Sequence, residues 1–156
     1  ADELSDPAVV AIMSHLDSVL VLSRTIAQKG NYTPIDILRS SSTIINKKIV
    51  GQEHYETVTR ALEMLHRHES LSRFVAIVGQ AELSAQDQTI YHRARKLLNY
   101  MTQPFFTTEA QSGRKGILVP RQKTINDVKT ILSGALDEIP AEKLLYIGSL
   151  DEAGIT

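Results

Sequence analysis

The side chains that could do chemistry in this chain are spaced in ways that exclude more than they offer. His66 and His68 lie two residues apart, so on a helix they point about 200° away from each other and cannot grip one metal ion. His15, His54 and His92 have no histidine one helical turn further on, and no metal site is assigned. The absence of cysteine removes thiolate ligands, thiol nucleophiles and disulfides, and fits a reducing compartment. No serine stands in a G-x-S-x-G elbow. The nearest approach to a phosphate loop, Ser112-Gly113-Arg114-Lys115-Gly116, lacks the GxxxxGK spacing and does not open a helix, so it reads as a solvated loop. A triphosphate would find no cradle of backbone amides here, and magnesium no hydroxyl, so this chain alone is expected to be inactive.

Two constellations remain. Tyr32, in Gly30-Asn31-Tyr32-Thr33-Pro34, and Phe105, after Gln103-Pro104, are aromatic rings next to turn residues. Such rings can stack on a planar base, but sequence alone reads them as packing, a loop tyrosine covering a helix end and a phenylalanine closing a helix C-terminus. The segment Ala81, Glu82, Leu83, Ser84, Ala85, Gln86 and Asp87 is the tip of a helix-turn-helix. Its two acids serve either as a partner contact or as a solvated Glu82 and a helix-capping Asp87. Arg93, Arg95 and Lys96 form a small basic cluster, read as a solvated helix face because the net charge of −1 offers nothing global to nucleic acid or an anionic membrane.

The elements that must position these groups are mostly helices. Hydrophobic residues make up 42% and charged residues 22% of the chain, a globular balance, and no apolar run approaches the ~20 residues of a membrane span. No signal peptide is visible. Ala8 to Met13, short and partly β-branched, reads as a buried strand. A helix is predicted from Asp17 or Ser18 to Lys29, with Gly30 as its stop, followed by an irregular stretch through the Ser40–Thr43 cluster. From Gln52, Tyr55, Val58, Leu62 and Leu65 repeat on one helical face, and a second short helix is predicted from Ser70 to Val78. Ser84 and Asp87 form a capping box for a third helix, which carries Ile90, Ala94, Leu97, Leu98 and Met101 and stops at Pro104. Residues 112–123 read as loop, with an extended piece at Ile117 to Val119. Further helices are predicted from Thr124, which with Asp127 marks a helix start, to Gly134, and from Pro140. The fold class is mainly α, a helical bundle.

Several separated motifs, in order, carry a family resemblance. They are His15 to Arg24 (HLDSVLVLSR), Gly30 to Asp36 (GNYTPID), Ile49 to Glu56 (IVGQEHYE), Phe74 to Asp87 (FVAIVGQAELSAQD) and Gln103-Pro104-Phe105. Together they resemble the C-terminal third of the beta (catalytic) subunit of F-type rotary ATP synthases. That resemblance implies that residues 1–45 are the last strand and helix of a nucleotide-binding domain without its P-loop, and that 46–156 are a C-terminal helical domain. It implies adenine contacts by Tyr32 and Phe105, and a central-stalk contact by Glu82, Leu83, Ser84, Ala85, Gln86 and Asp87. The member is divergent. Gln111 stands where a second phenylalanine is usual, and the tip keeps only Glu82 and Asp87 of its acids. Thr43 and Arg39 stand where an arginine and an aspartate are usual. The full-length subunit would bind ATP or ADP with magnesium through upstream residues and assemble with alpha subunits and a gamma stalk. It would couple ATP synthesis or hydrolysis to proton or sodium transport, peripherally on the cytoplasmic face of an energy-transducing membrane, without nucleic acid and without entering the bilayer. Both chain ends, Ala1 and Thr156, look cut. The alternative is a stand-alone helical adaptor derived from the same fold, with no enzymatic role.

Overall fold

A computed structural model describes residues 4–28 and 30–155, so the chain ends and the predicted helix end at Lys29 lie outside the described residues. Ala8 to Met13 is not a buried strand but helix α1 (Pro7–Met13), none of whose residues is buried. Local chemistry overrides the β-branched run. Asp6 caps the helix by accepting from the Ala8 amide at 2.8 Å, and Pro7 presets the first helical residue. The predicted helix over 17–29 is also corrected, because only α2 (Arg24–Gln28) is helical. The residues before it are extended: Val19 and Val21 turn inward while Leu20 and Leu22 face out, the two-residue period of a half-buried strand. Their partner is the Ser/Thr cluster read as irregular. Strand β1 (Ser18–Val19) pairs antiparallel with β2 (Ser41–Ser42), and the pairing extends through a Leu22–Ile35 bridge.

The rest is helical. A short α3 (Lys47–Val50), capped by the Asn46 side chain, is separated by Gly51 from α4 (Gln52–Val78), one unbroken helix of 27 residues. The break predicted before Ser70 does not occur. The Ser70 hydroxyl donates back to the His66 carbonyl at 3.2 Å instead of capping a new start, and no Gly or Pro interrupts the run. Gly79, at φ 92, ends α4, and a 3-10 turn (Gln80–Glu82) leads into α5 (Ala85–Tyr100). This helix ends before Pro104, where the Gln103 amide takes the Tyr100 carbonyl at 2.6 Å. After the short α6 (Glu109–Ser112), residues 114–120 lead without helix or strand to α7 (Arg121–Ser133), which stops at left-handed Gly134. That helix begins three residues earlier than predicted, because Asp127 turns into the core and does not cap. Beyond Pro140 a single 3-10 turn (Ala141–Leu144) replaces the predicted helix. The chain cannot continue helically through Tyr146 and Gly148, both at positive φ.

Helices α4, α5 and α7 and the 141–144 turn pack around Leu65, Ala94, Leu97, Tyr100, Val128, Ile131, Leu136, Leu144 and Leu150. A carboxylate sits among them. Asp127, 2% exposed, accepts from the Tyr100 hydroxyl at 2.9 Å, the Leu150 amide at 3.0 Å and the Lys123 ammonium at 2.9 Å. Burial, reinforced by this carboxylate, pushes the Tyr100 phenol well above its ordinary value of 10.0.

A raised folded-state value means that Tyr100 contributes its full stability below about pH 10 and loses it as pH climbs toward that higher value. Replacing Tyr100 by Phe is therefore expected to cost about 1.5–3 kcal/mol near pH 8 in urea unfolding. It should also flatten the decline in stability above pH 10. A variant as stable as the parent at pH 8 would show that the Tyr100–Asp127 hydrogen bond does not hold the core together.

Candidate functional site

The aromatic end is built where the extended N-terminal segment meets the end of α5. Thr33 is buried and its hydroxyl donates to the Gln103 carbonyl, which ties the Gly30–Pro34 loop to the helices. Gln103 is itself fixed: its amide also donates to the Gly148 carbonyl at 2.8 Å, and its oxygen accepts from the Gly148 amide at 2.9 Å. Tyr32 is left 49% exposed and Phe105 36% exposed, so neither ring is consumed by packing. An exposed ring face can stack on a planar base, worth about 0.5–1.5 kcal/mol beyond burial. Phe106, also exposed, runs so close to Gly116 that a side chain there would collide with the Phe106 backbone. Gln111 is exposed on α6. Both sequence-singled aromatics thus stand on segments joined through Gln103.

Sequence reasoning missed Tyr146. Its hydroxyl accepts from the Tyr32 amide at 3.2 Å and lies 3.3 Å from the Gly30 carbonyl, to which it can donate, while the Arg114 guanidinium lies 4.4 Å from its ring centre. Tyr146 follows Leu144 and Leu145 in the chain, and a contact across more than a hundred residues leaves no local signal.

At the other end of α5 the tip is a stiff corner. Leu83 is its buried plug, with its carbonyl held by the Gln88 amide at 3.0 Å, while Ala81, Glu82, Ser84, Ala85 and Gln86 are exposed. The predicted cap is present: the Ser84 hydroxyl accepts from the Asp87 amide at 3.1 Å. Asp87 differs from a standard capping box. Its carboxylate takes the Ser84 hydroxyl at 3.0 Å, not the Ser84 amide, and it also binds Arg67 of α4 at 2.7 Å. The hydrogen bond from Arg67 holds Asp87 below the usual carboxylate range, against the opposing effect of partial burial. Asp87 therefore pins the two helices together, and Glu82 alone of the two acids is left facing outward. Phe74, Ile77 and Val78, in the last turns of α4, are exposed beside this corner.

The remaining polar candidates serve the fold. His68 stacks on Tyr91 with centres 4.8 Å apart, and burial, followed by the charge of Arg95, lowers its pKa. His92 pairs with Gln80 at 2.8 Å, and His66 is exposed. No group of three His, Asp or Glu that could hold a metal occurs among the described residues. The basic cluster is not simply a solvated face. Lys96 is buried and donates to the Leu136 and Asp137 carbonyls at 2.8 and 2.7 Å, because the loop after α7 folds its carbonyls onto α5. Arg93 pairs with Asp137, and Arg95 pairs with Glu142. No helix among the described residues is long and apolar enough to cross a membrane.

The result is a helical bundle led by the long α4–α5 hairpin, with a constrained corner at one end and exposed aromatics near the other. The family model described as the C-terminal domain of V and A type ATP synthase matches residues 43–145, and the chain belongs to that family. It is similar to "ATP synthase subunit beta" of Coprothermobacter proteolyticus, 41% identical over 155 residues, which is 99% of this chain and 34% of the relative. The chain thus spans about a third of the length of the curated relative it matches. The matching family model is described by V and A types, not by the F type that the sequence motifs resemble.

A depressed folded-state value means that Asp87 supports the tip above its ordinary range near 3.8 and loses that role as pH falls through its lower folded value. Wild-type amides over 87–90 are expected to hold their hydrogen-exchange protection from neutral pH down to about 4 and lose it below. Asp87→Asn should lower protection throughout and remove the acid step. Identical profiles for the two proteins would show that the Arg67 contact does not brace the corner.

Proposed function

We propose that this chain is the force-transmitting C-terminal part of a catalytic beta subunit of an F-type rotary ATP synthase. The observation that carries the reading is the continuity of α5. The helix begins at the tip, runs about 24 Å at 1.5 Å per residue, and ends at Tyr100, three residues before Gln103, whose carbonyl holds the loop bearing Tyr32. Movement at the nucleotide end is thereby carried to the tip by a packed helical pair, as in hinge-type transitions between rigid parts. The F-type assignment is supported by Gln103-Pro104-Phe105, by the Tyr32 loop, and by the beta-subunit relative.

In this reading residues 1–45 close the nucleotide-binding domain and 46–156 form the helical domain. Tyr32 and Phe105 flank the adenine, the phosphates and magnesium belong to upstream residues of the full-length subunit, and Glu82 to Asp87 meet the gamma stalk. The whole subunit alternates with alpha subunits and couples ATP synthesis or hydrolysis to proton or sodium flow, peripherally on the cytoplasmic face of the membrane. The tip acts through shape. Only Glu82 is free to present charge, and the corner's stiffness comes from the buried Leu83 and the Arg67–Asp87 pair.

Tyr32→Ala in the full-length subunit is expected to weaken nucleotide binding by about 1 kcal/mol, roughly fivefold. Unchanged affinity would reduce the ring to loop packing. At the tip, Glu82→Gln should leave the coupling of hydrolysis to rotation nearly intact, whereas deletion of Glu82 to Ala85 should impair it. A large loss from Glu82→Gln would mean that the contact is electrostatic after all.

A further inference from the structure

We propose that Tyr146, with Arg114 stacked on its ring, is a positioning residue for the nucleotide end: its hydroxyl clasps the backbone of Gly30 and Tyr32 and sets where the Tyr32 ring stands. This inference rests on the reading of Tyr32 as an adenine contact.

The loop from Gly30 to Pro34 has two attachments to the helical part, and they differ in kind. Thr33 anchors it from the inside, buried against the Gln103 carbonyl. Tyr146 holds it from the outside, through backbone atoms on either side of Asn31. Two such points define a loop's orientation, where one would leave it free to pivot. Backbone contacts also leave the Tyr32 ring unobstructed, and it is half exposed.

Tyr146 is held in place in its turn. It is the one non-glycine residue at positive φ (59°) among the described residues, a conformation that persists only where the surroundings over-determine it. Its amide donates to the Thr102 carbonyl at 3.2 Å, and the buried Leu144 and the Gln103–Gly148 pair of hydrogen bonds fix the chain on both sides. Thr102 and Gln103 are adjacent, so the two attachments of the loop share one base. Arg114 gives the Ser112–Gly116 loop a role: its cation over the Tyr146 ring holds the phenol against the loop, an electrostatic contact that needs no phosphate.

The test uses the full-length subunit and measures dissociation constants for two probes, MgATP and magnesium tripolyphosphate, which lacks the base. Tyr146→Phe keeps the ring and the Arg114 contact and removes only the hydroxyl, and the Thr33 anchor remains. It is expected to weaken MgATP binding roughly threefold, the scale of one net hydrogen bond, and leave tripolyphosphate binding unchanged. Arg114→Gln should move MgATP binding in the same direction by a smaller factor. Adding Tyr146→Phe to Tyr32→Ala should cause no loss beyond that of Tyr32→Ala alone, because the hydroxyl acts through that ring. Wild-type affinity in Tyr146→Phe, with Tyr32→Ala impaired, would overturn the positioning role and spare the adenine contact. An unimpaired Tyr32→Ala would overturn both. Equal weakening for both probes would show a general structural role and overturn the proposal as well.

Discussion

The carboxylate of Asp127 is the constraint around which the helical part is arranged. It belongs to α7, takes a hydroxyl from the last residue of α5 and an amide from Leu150 in the C-terminal segment, and keeps Lys123 at its rim. A buried anion is costly unless its lone pairs are filled, so these three donors must arrive together. That requirement sets the height of α7 along α5 and folds the C-terminal segment back over the core. The same segment then delivers Gly148 to Gln103 and Tyr146 to the Gly30–Pro34 loop. An apolar core of Leu65, Leu97 and Ile131 would bring the helices together, but it would not choose this register.

Charge elsewhere is spent mostly on internal geometry. Arg93 and Arg95 reach across to the 137–142 segment, Lys96 takes two carbonyls from inside the core, and Arg67 crosses the hairpin to Asp87. Exposed pairs contribute little stability on average, so their weight here lies in direction: each fixes one segment's angle against α4 or α5. The outward-facing groups at the two ends of α5 include Glu82, Gln86 and the apolar Phe74, Ile77 and Val78 near one end, and Tyr32, Phe105 and Phe106 near the other.

How much of this could be read from sequence depended on how local the cause was. The stripe from Tyr55 to Leu65, the Ser84 cap and the Gly79 and Gly134 stops were legible because their partners lie within a turn or two. Asp6 was overlooked as a cap, and α1 was mistaken for a strand. The Ser40–Thr43 cluster looked like turn chemistry because its pairing partner lies more than twenty residues away. Asp127 fitted the pattern of a helix start, and only the arrival of Tyr100 and Leu150 shows why it sits inside. Tyr32 and Phe105 could be picked out as aromatics beside turn residues, and their link through Gln103 comes from the fold. Tyr146 carried no signal at all.

The unbroken course of α4 has a mechanical meaning. At 1.5 Å per residue its 27 residues make a rod about 40 Å long. Gly51 and Gly79, both at positive φ, bound it at its two ends. A tilt of about 10° about the first glycine would sweep the second through about 7 Å, more than the 5.4 Å pitch of the helix. A kink at Ser70 would absorb part of that sweep as bending. Without such a kink, α4 tilts as one piece between its two glycines.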